Sequence, residues 1–333
     1  MKKNNSYEDY LFVSSRIRAL ETELFSRETL LNMANASSLS ALYGILEDNK
    51  ISYTEGDFGE KSFENGLSLL LSSAYIDILG SVPSPELFTV FTYPYDCINL
   101  KTALKCAEKG ISPDGLLLPY GTVSPENVRD AVQKRSFSVF PKNMGIAAKE
   151  AIDVFAKTKN PREIDLILDG ALFLDMKESV EENGVEFFSD ILRIKADTVN
   201  VLTAVRIIKM GAPVSLFERA FVEGGAIDRA FFTERLPKGI VSLGEGLSSI
   251  DRYARLGDSL KDGKELTEAE RIADSIYLDF IKTAKDVQSG AEVVAGYLAA
   301  LEAEVKNIRI LITGKKLSVS SERLIERLGE SYV

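Results

Sequence analysis

The residues with the greatest chemical potential in this chain are three acids that recur in one setting. Asp96-x-x-Asn99, Asp197-x-x-Asn200 and Glu304-x-x-Asn307 lie about one hundred residues apart, each inside an apolar-periodic segment. A carboxylate and an amide spaced i, i+3 share one helix face. There the acid can serve as a catalytic carboxylate, hold an arginine or accept from a backbone N–H. The amide can bridge to a neighbouring helix or cap a loop. In the first two copies a basic residue stands six positions after the asparagine (Lys105, Arg206) and a glycine eleven after it (Gly110, Gly211). The third copy is shifted, with Lys306 inside the motif, Arg309 two positions after the asparagine and Gly314 seven after.

Three chemically identical catalytic sites on one chain would be unusual, which sets the catalytic reading behind two others. In one, the pair fixes the packing of each helical unit, because a buried polar group left unpaired costs about 1–3 kcal/mol. In the other, three such faces converge on a groove and touch a partner. Asp96, Asn99, Lys105, Asp197, Asn200, Arg206, Glu304, Lys306, Asn307 and Arg309 are then the candidate contacts.

The composition narrows the chemistry further. The 333 residues contain no histidine, which removes the commonest general base and metal ligand and every Ser-His or Cys-His nucleophile. The formal charge of −10 argues against nucleic acid as principal partner and against broad docking on anionic lipid. Cys97 and Cys106, nine positions apart on one predicted helix, fit neither a metal pair nor a redox CxxC and read as reduced core residues of a cytosolic protein. Gly314-Lys315-Lys316 lacks the upstream glycine and the hydroxyl of a Walker A loop, and Gly244-Glu245-Gly246 reads as a plain loop. The apolar run from Gly66 to Val82 is broken by Asp77 and is too short to cross a bilayer, and no signal peptide follows the polar Met1–Asn5 start.

The elements that must position the acids are helices. Tyr10, Val13, Ile17, Leu20 and Leu24 form one stripe of a helix over Tyr7–Phe25, and a second helix is predicted over Thr29–Glu47. Tyr53–Gly59 reads as loop, followed by a helix over Phe63–Leu79. Ser84-Pro85, Ser124-Pro125 and Asn160-Pro161 are helix starts, and Thr267-Glu268-Ala269-Glu270 is a capping box. Leu118-Pro119-Tyr120-Gly121 and Phe221-Val222-Glu223-Gly224-Gly225 punctuate the units at matching places. Val294, Leu298, Leu301, Val305, Ile308 and Ile312 stripe a long helix over Ala291–Thr313, and a short one covers Ser321–Leu328. Period-two runs of β-branched residues are scarce. The expectation is an all-α protein of three repeated helical-bundle domains, 1–121, 122–224 and 225–333.

The order of these features resembles a known family. The opening helix with Arg16-Ile17-Arg18-Ala19-Leu20-Glu21, the Asp96/Asn99 and Asp197/Asn200 copies with their trailing glycines, and Glu304–Arg309 running to Gly314-Lys315, Glu326-Arg327-Leu328 and Tyr332-Val333 are similar to the central-stalk connector of V-type and archaeal-type rotary ATPases, the C subunit of prokaryotic complexes and the d subunit of eukaryotic ones. The resemblance covers essentially the whole chain. It departs at Leu118–Gly121, where the family often has paired glycines, which leaves the turn geometry there open. It implies three similar bundles arranged as a funnel with pseudo-threefold symmetry, and a protein with no catalytic activity and no cofactor. It further implies a cytoplasmic connector that sits on the proteolipid ring of the membrane rotor, receives the tip of the rotor shaft and couples ATP turnover to proton or sodium movement. Such a chain has no small-molecule substrate. The alternative is a soluble helical-repeat adaptor for some other protein.

Overall fold

The computed structural model describes residues 7–49 and 60–333, with side chains from residue 66 onward in the second stretch. The expected Tyr53–Gly59 loop and the Met1–Asn5 start lie outside the described residues. Every regular element among those described is helical. The all-α expectation therefore stands, as stripes at three- and four-residue steps without alternating runs require.

In chain order the helices are α1 (Leu11–Glu21), α2 (Arg27–Asn35), α3 (Leu39–Asp48), α4 (Glu60–Leu79), α5 (Thr89–Lys109), α6 (Pro125–Lys134), α7 (Lys142–Thr158) and α8 (Arg162–Asn183). They continue with α9 (Glu186–Met210), α10 (Val214–Ala220), α11 (Arg229–Arg235), α12 (Ile240–Ser248), α13 (Ala254–Lys261), α14 (Leu266–Lys282), α15 (Ala291–Lys316) and α16 (Ser321–Arg327). The chain divides into two compact units, Met1–Ser84 with Glu270–Val333, and Pro85–Ala269. The first joins the two ends of the chain and carries the Glu304 motif; the second carries both aspartate motifs.

In the end-joined unit α15 is the central helix, packed by α1, α2, α3, α4 and α16. Its predicted stripe is the core: Val294, Leu298, Leu301, Val305, Ile308 and Ile312 are no more than 3 % exposed. In the other unit α8 is sandwiched by α5, α7, α9 and α10. Its start is well specified, since Asn160 Oδ1 accepts from the Arg162 N–H at 3.2 Å while the Asn160 amide donates to Glu163. Gly110 and Gly211 end α5 and α9 at φ 64° and 62°, the left-handed conformation in which glycine carries no Cβ penalty.

Several boundaries differ from the expectations. The predicted second helix is two helices, because Ala36 turns extended (ψ 134°) and the Ser38 hydroxyl caps α3 through the Ala41 N–H. Helix α14 begins at Leu266, so Thr267 lies within the first turn, its hydroxyl facing Glu265. Gly244-Glu245-Gly246 is not a loop but lies in α12. A Cβ on Gly244 would meet the Gly257 carbonyl at 2.7 Å, and one on Gly257 would meet the Ser248 nitrogen at 2.4 Å. Gly244 and Gly257 allow the close approach of α12 and α13, and a Cβ on Gly246 would meet Arg235 and Phe231 of α11, contacts that a turn reading of Gly-x-Gly misses.

Candidate functional site

Each acid–asparagine pair is the helix-borne half of a clasp whose other half is a distant loop. In the first, α5 presents Asp96 and Asn99, both fully buried. The Asn99 amide grips one residue with both ends: Oδ1 accepts from the Leu118 N–H and Nδ2 donates to the Leu118 carbonyl, each at 2.7 Å. The planar side-chain amide thereby imitates a neighbouring strand and satisfies a loop backbone that has no helix to satisfy it. Asp96 Oδ1 accepts from the Val123 N–H at 2.9 Å and Oδ2 from the Thr122 hydroxyl.

The second clasp repeats the arrangement. Asn200 takes the Val222 N–H and gives to the Val222 carbonyl, both at 2.9 Å. Asp197 accepts from the Ile227 N–H at 2.9 Å, the Ala226 N–H at 3.1 Å and the Tyr253 hydroxyl at 2.8 Å. The glycines read as punctuation are part of the device. A Cβ on Gly121 or Gly225 would lie 2.2 Å from the carboxylate oxygen of Asp96 or Asp197 respectively. In each loop the acid's amide donor comes two residues after that glycine. Tyr120 stands where the second loop has Gly224, yet only the glycine adopts a positive φ, 100°. Tyr120 instead stacks edge-on against Tyr95 of α5, ring centroids 4.3 Å apart. Two different turns thus deliver the same amide to the same acid, which resolves the point at which the resemblance departs.

The third clasp is built from the two ends of the chain. Asn307, 3 % exposed, accepts from the Gly329 N–H at 2.9 Å. The Gly329 carbonyl does not return to it; it accepts instead from Arg27 Nη1 of α2 at 2.8 Å. Glu304 takes its amide from the Phe25 N–H at 2.5 Å, ahead of α2. Around it, Arg18 donates to Glu21 and to the Ala284 and Val287 carbonyls, and the Tyr332 hydroxyl donates to Glu21.

The electrostatics follow from burial. Burial pushes the Asp96 carboxyl up to about 6, against the lowering effect of its Thr122 and Val123 donors. It also raises Asp197, opposed by Ile227, Tyr253 and Ala226, and it pushes Glu304, with one amide donor, up to about 7. These acids face loop backbone. Among the described residues no group of three Cys, Asp or Glu is placed to hold a metal ion. Burial pushes the Cys97 thiol up to about 12, and both cysteines are free and buried in α5, as their spacing led one to expect.

The candidate cations are spread over the helix surfaces. Lys105 pairs with Asp165 of α8, and Lys306 with Asp274 of α14. Arg206 is exposed and Arg309 half-buried. Sequence reasoning missed Thr122, Tyr253, Phe25 and Arg27. Only the shared offset from Gly121 to Val123 and from Gly225 to Ile227 could have signalled the loop halves.

No described helix is long and apolar enough to cross a membrane. Residues 13–327 match the family described as ATP synthase (C/AC39) subunit. The C subunit of the V-type sodium ATPase of Enterococcus hirae is 25 % identical over 326 residues, covering 97 % of this chain and 99 % of that one. The C subunit of the A-type ATP synthase of Methanocaldococcus jannaschii is 22 % identical over 347 residues (95 % and 85 % covered). The corresponding protein of Pyrococcus horikoshii is 21 % identical over 340 residues (97 % and 91 %). With the match spanning nearly the whole length, the chain belongs to the ATP synthase (C/AC39) subunit family, the family of the C subunits of V-type and A-type rotary ATPases.

Proposed function

We propose that this chain is the non-catalytic connector of a rotary ATPase, seated on the cytoplasmic face of the proteolipid ring and socketing the central shaft, so that ATP turnover and ion movement are coupled through it. The observation that carries the reading is the family match over residues 13–327. The clasps give it a physical basis. Taking the repeats as 1–121, 122–224 and 225–333, Asp96 reaches forward from the first to Val123 at the start of the second. Asp197 reaches from the second to Ile227 of the third, and Glu304 reaches from the third to Phe25 of the first. The buried asparagines of the first two clasps pair both ends of their amides, which favours stiffness over ligand exchange and suits a part that carries torque.

The test is to strip the soluble motor from native membranes and follow this chain. It is expected to stay on the proteolipid ring and to bind the purified shaft when that is added back. Its recovery in a complex that lacks a ring would overturn the reading in favour of an unrelated adaptor.

A further inference from the structure

The residue two places before each motif acid differs from copy to copy: Pro94, Lys195 and Glu302. Two residues turn a helix by about 200°, so this position faces away from the loop that the acid holds. In the second and third copies it reaches another helix. Glu302 of α15 accepts from the Tyr75 hydroxyl of α4 at 2.6 Å, and Lys195 of α9 donates to the Val90 carbonyl of α5 at 3.3 Å.

Val90 carries the carbonyl that the first copy's own residue fails to serve. Pro94 lies inside α5, four residues after Val90, and its ring nitrogen has no hydrogen for the usual bond back to that oxygen. Val90 is fully buried, so water is a poor replacement and an unmet carbonyl there would be costly. Lys195 brings a hydrogen to this oxygen, and its ammonium lies 5.2 Å from the ring centroid of neighbouring Phe91. Its four-carbon stem can run along apolar surface while the charged head reaches the backbone. The residues at one and the same place in the first two copies are therefore complementary. One withholds a donor and the other supplies it, each just ahead of a buried aspartate.

We infer that Lys195 is a pin between the two aspartate clasps. It is a positioning residue on α9 that stands in for the amide hydrogen Pro94 lacks. It thereby holds α5, which bears Asp96 and Asn99, against α9, which bears Asp197 and Asn200. Loosening of one helix is passed through it to the clasp on the other. The inference stands on the clasps alone and goes beyond the connector reading, so either can fail without the other.

The experiment is a double-mutant cycle on the full chain, read by native-state amide hydrogen exchange. Lys195→Met keeps the length of the stem and removes the donor. Exchange of the Val123 amide, which Asp96 accepts, should then quicken about tenfold, the loss of one hydrogen bond from a charged donor. Lys195→Arg still donates and should stay close to the unchanged chain. In a Pro94→Ala chain, residue 94 brings its own N–H to the Val90 carbonyl, and there Lys195→Met should change Val123 exchange little. That rescue separates a pin from mere packing. An effect of equal size in both backgrounds, or no effect on Val123 in the chain that keeps Pro94, overturns the inference. If Lys195→Met alone does not fold, a folded Pro94→Ala/Lys195→Met chain supports the pin and an unfolded one overturns it.

Discussion

Removing the second clasp's asparagine should cost more than removing either of the others, and the structure sets the order. In Asn200→Ala both the N–H and the carbonyl of Val222 lose their partner, and Val222 is 1 % exposed, so water cannot replace it without opening the loop. Each stranded group costs about 1–3 kcal/mol, which puts the loss at about 2–6 kcal/mol. Asn99→Ala strands the same two groups on Leu118, but that residue is half-buried and its loop can be rehydrated, so about 1–2 kcal/mol is expected. Asn307→Ala removes one bond, to the half-buried Gly329, and about 1 kcal/mol is expected. Urea unfolding followed by far-ultraviolet circular dichroism gives the stabilities, and amide hydrogen exchange localises the change. The Val222 amide should lose protection in Asn200→Ala while α15 keeps its own. If all three variants fall within about 0.5 kcal/mol of each other, burial does not set the cost and the clasp argument is wrong.

Other expectations follow from the same geometry. Gly225→Ala places a Cβ against the Asp197 carboxylate and should cost about 1–3 kcal/mol, whereas Gly44→Ala, a helix interior with open space around it, should be neutral or stabilising by about 0.5–1 kcal/mol in thermal unfolding. Glu304 binds its proton more tightly in the folded than in the unfolded chain. Its stabilising contribution is present below pH 4.5 and is lost as the pH rises through about 7, so the stability of the end-joined unit should fall across that window. Glu304→Gln should remove that slope, and a slope that persists would assign it to another group. Cys97, buried and with its thiol held high, should resist alkylation in the native state and react only on unfolding; fast native labelling would contradict its placement in the α5 core.

What could be read from the residues alone was the helical side of each clasp. Periodicity located α5, α9 and α15, and the acid-x-x-Asn spacing marked the buried polar face on each. The loop side was hidden because its chemistry is in the main chain: Leu118, Val222 and Gly329 contribute an N–H that nearly any residue could supply. The partner of Glu304 lies 279 residues away at Phe25, and no local pattern announces such a contact. The Gly244–Gly257 contact was hidden for a related reason. Glycine demanded by helix–helix approach is written in the same letter as glycine demanded by a turn. The break at Ala36–Ser38 shows the converse, since a serine cap overrode a run of good helix formers.

The most direct test of a passive rotary coupling is to assemble the ATPase in vesicles with and without this chain and record ATP hydrolysis and ion transport together. Without it, the soluble motor should continue to hydrolyse ATP while transport stops, and adding the purified chain should restore transport. Ion transport that persists at full rate without the chain, or hydrolysis of ATP by the isolated chain, would contradict the account.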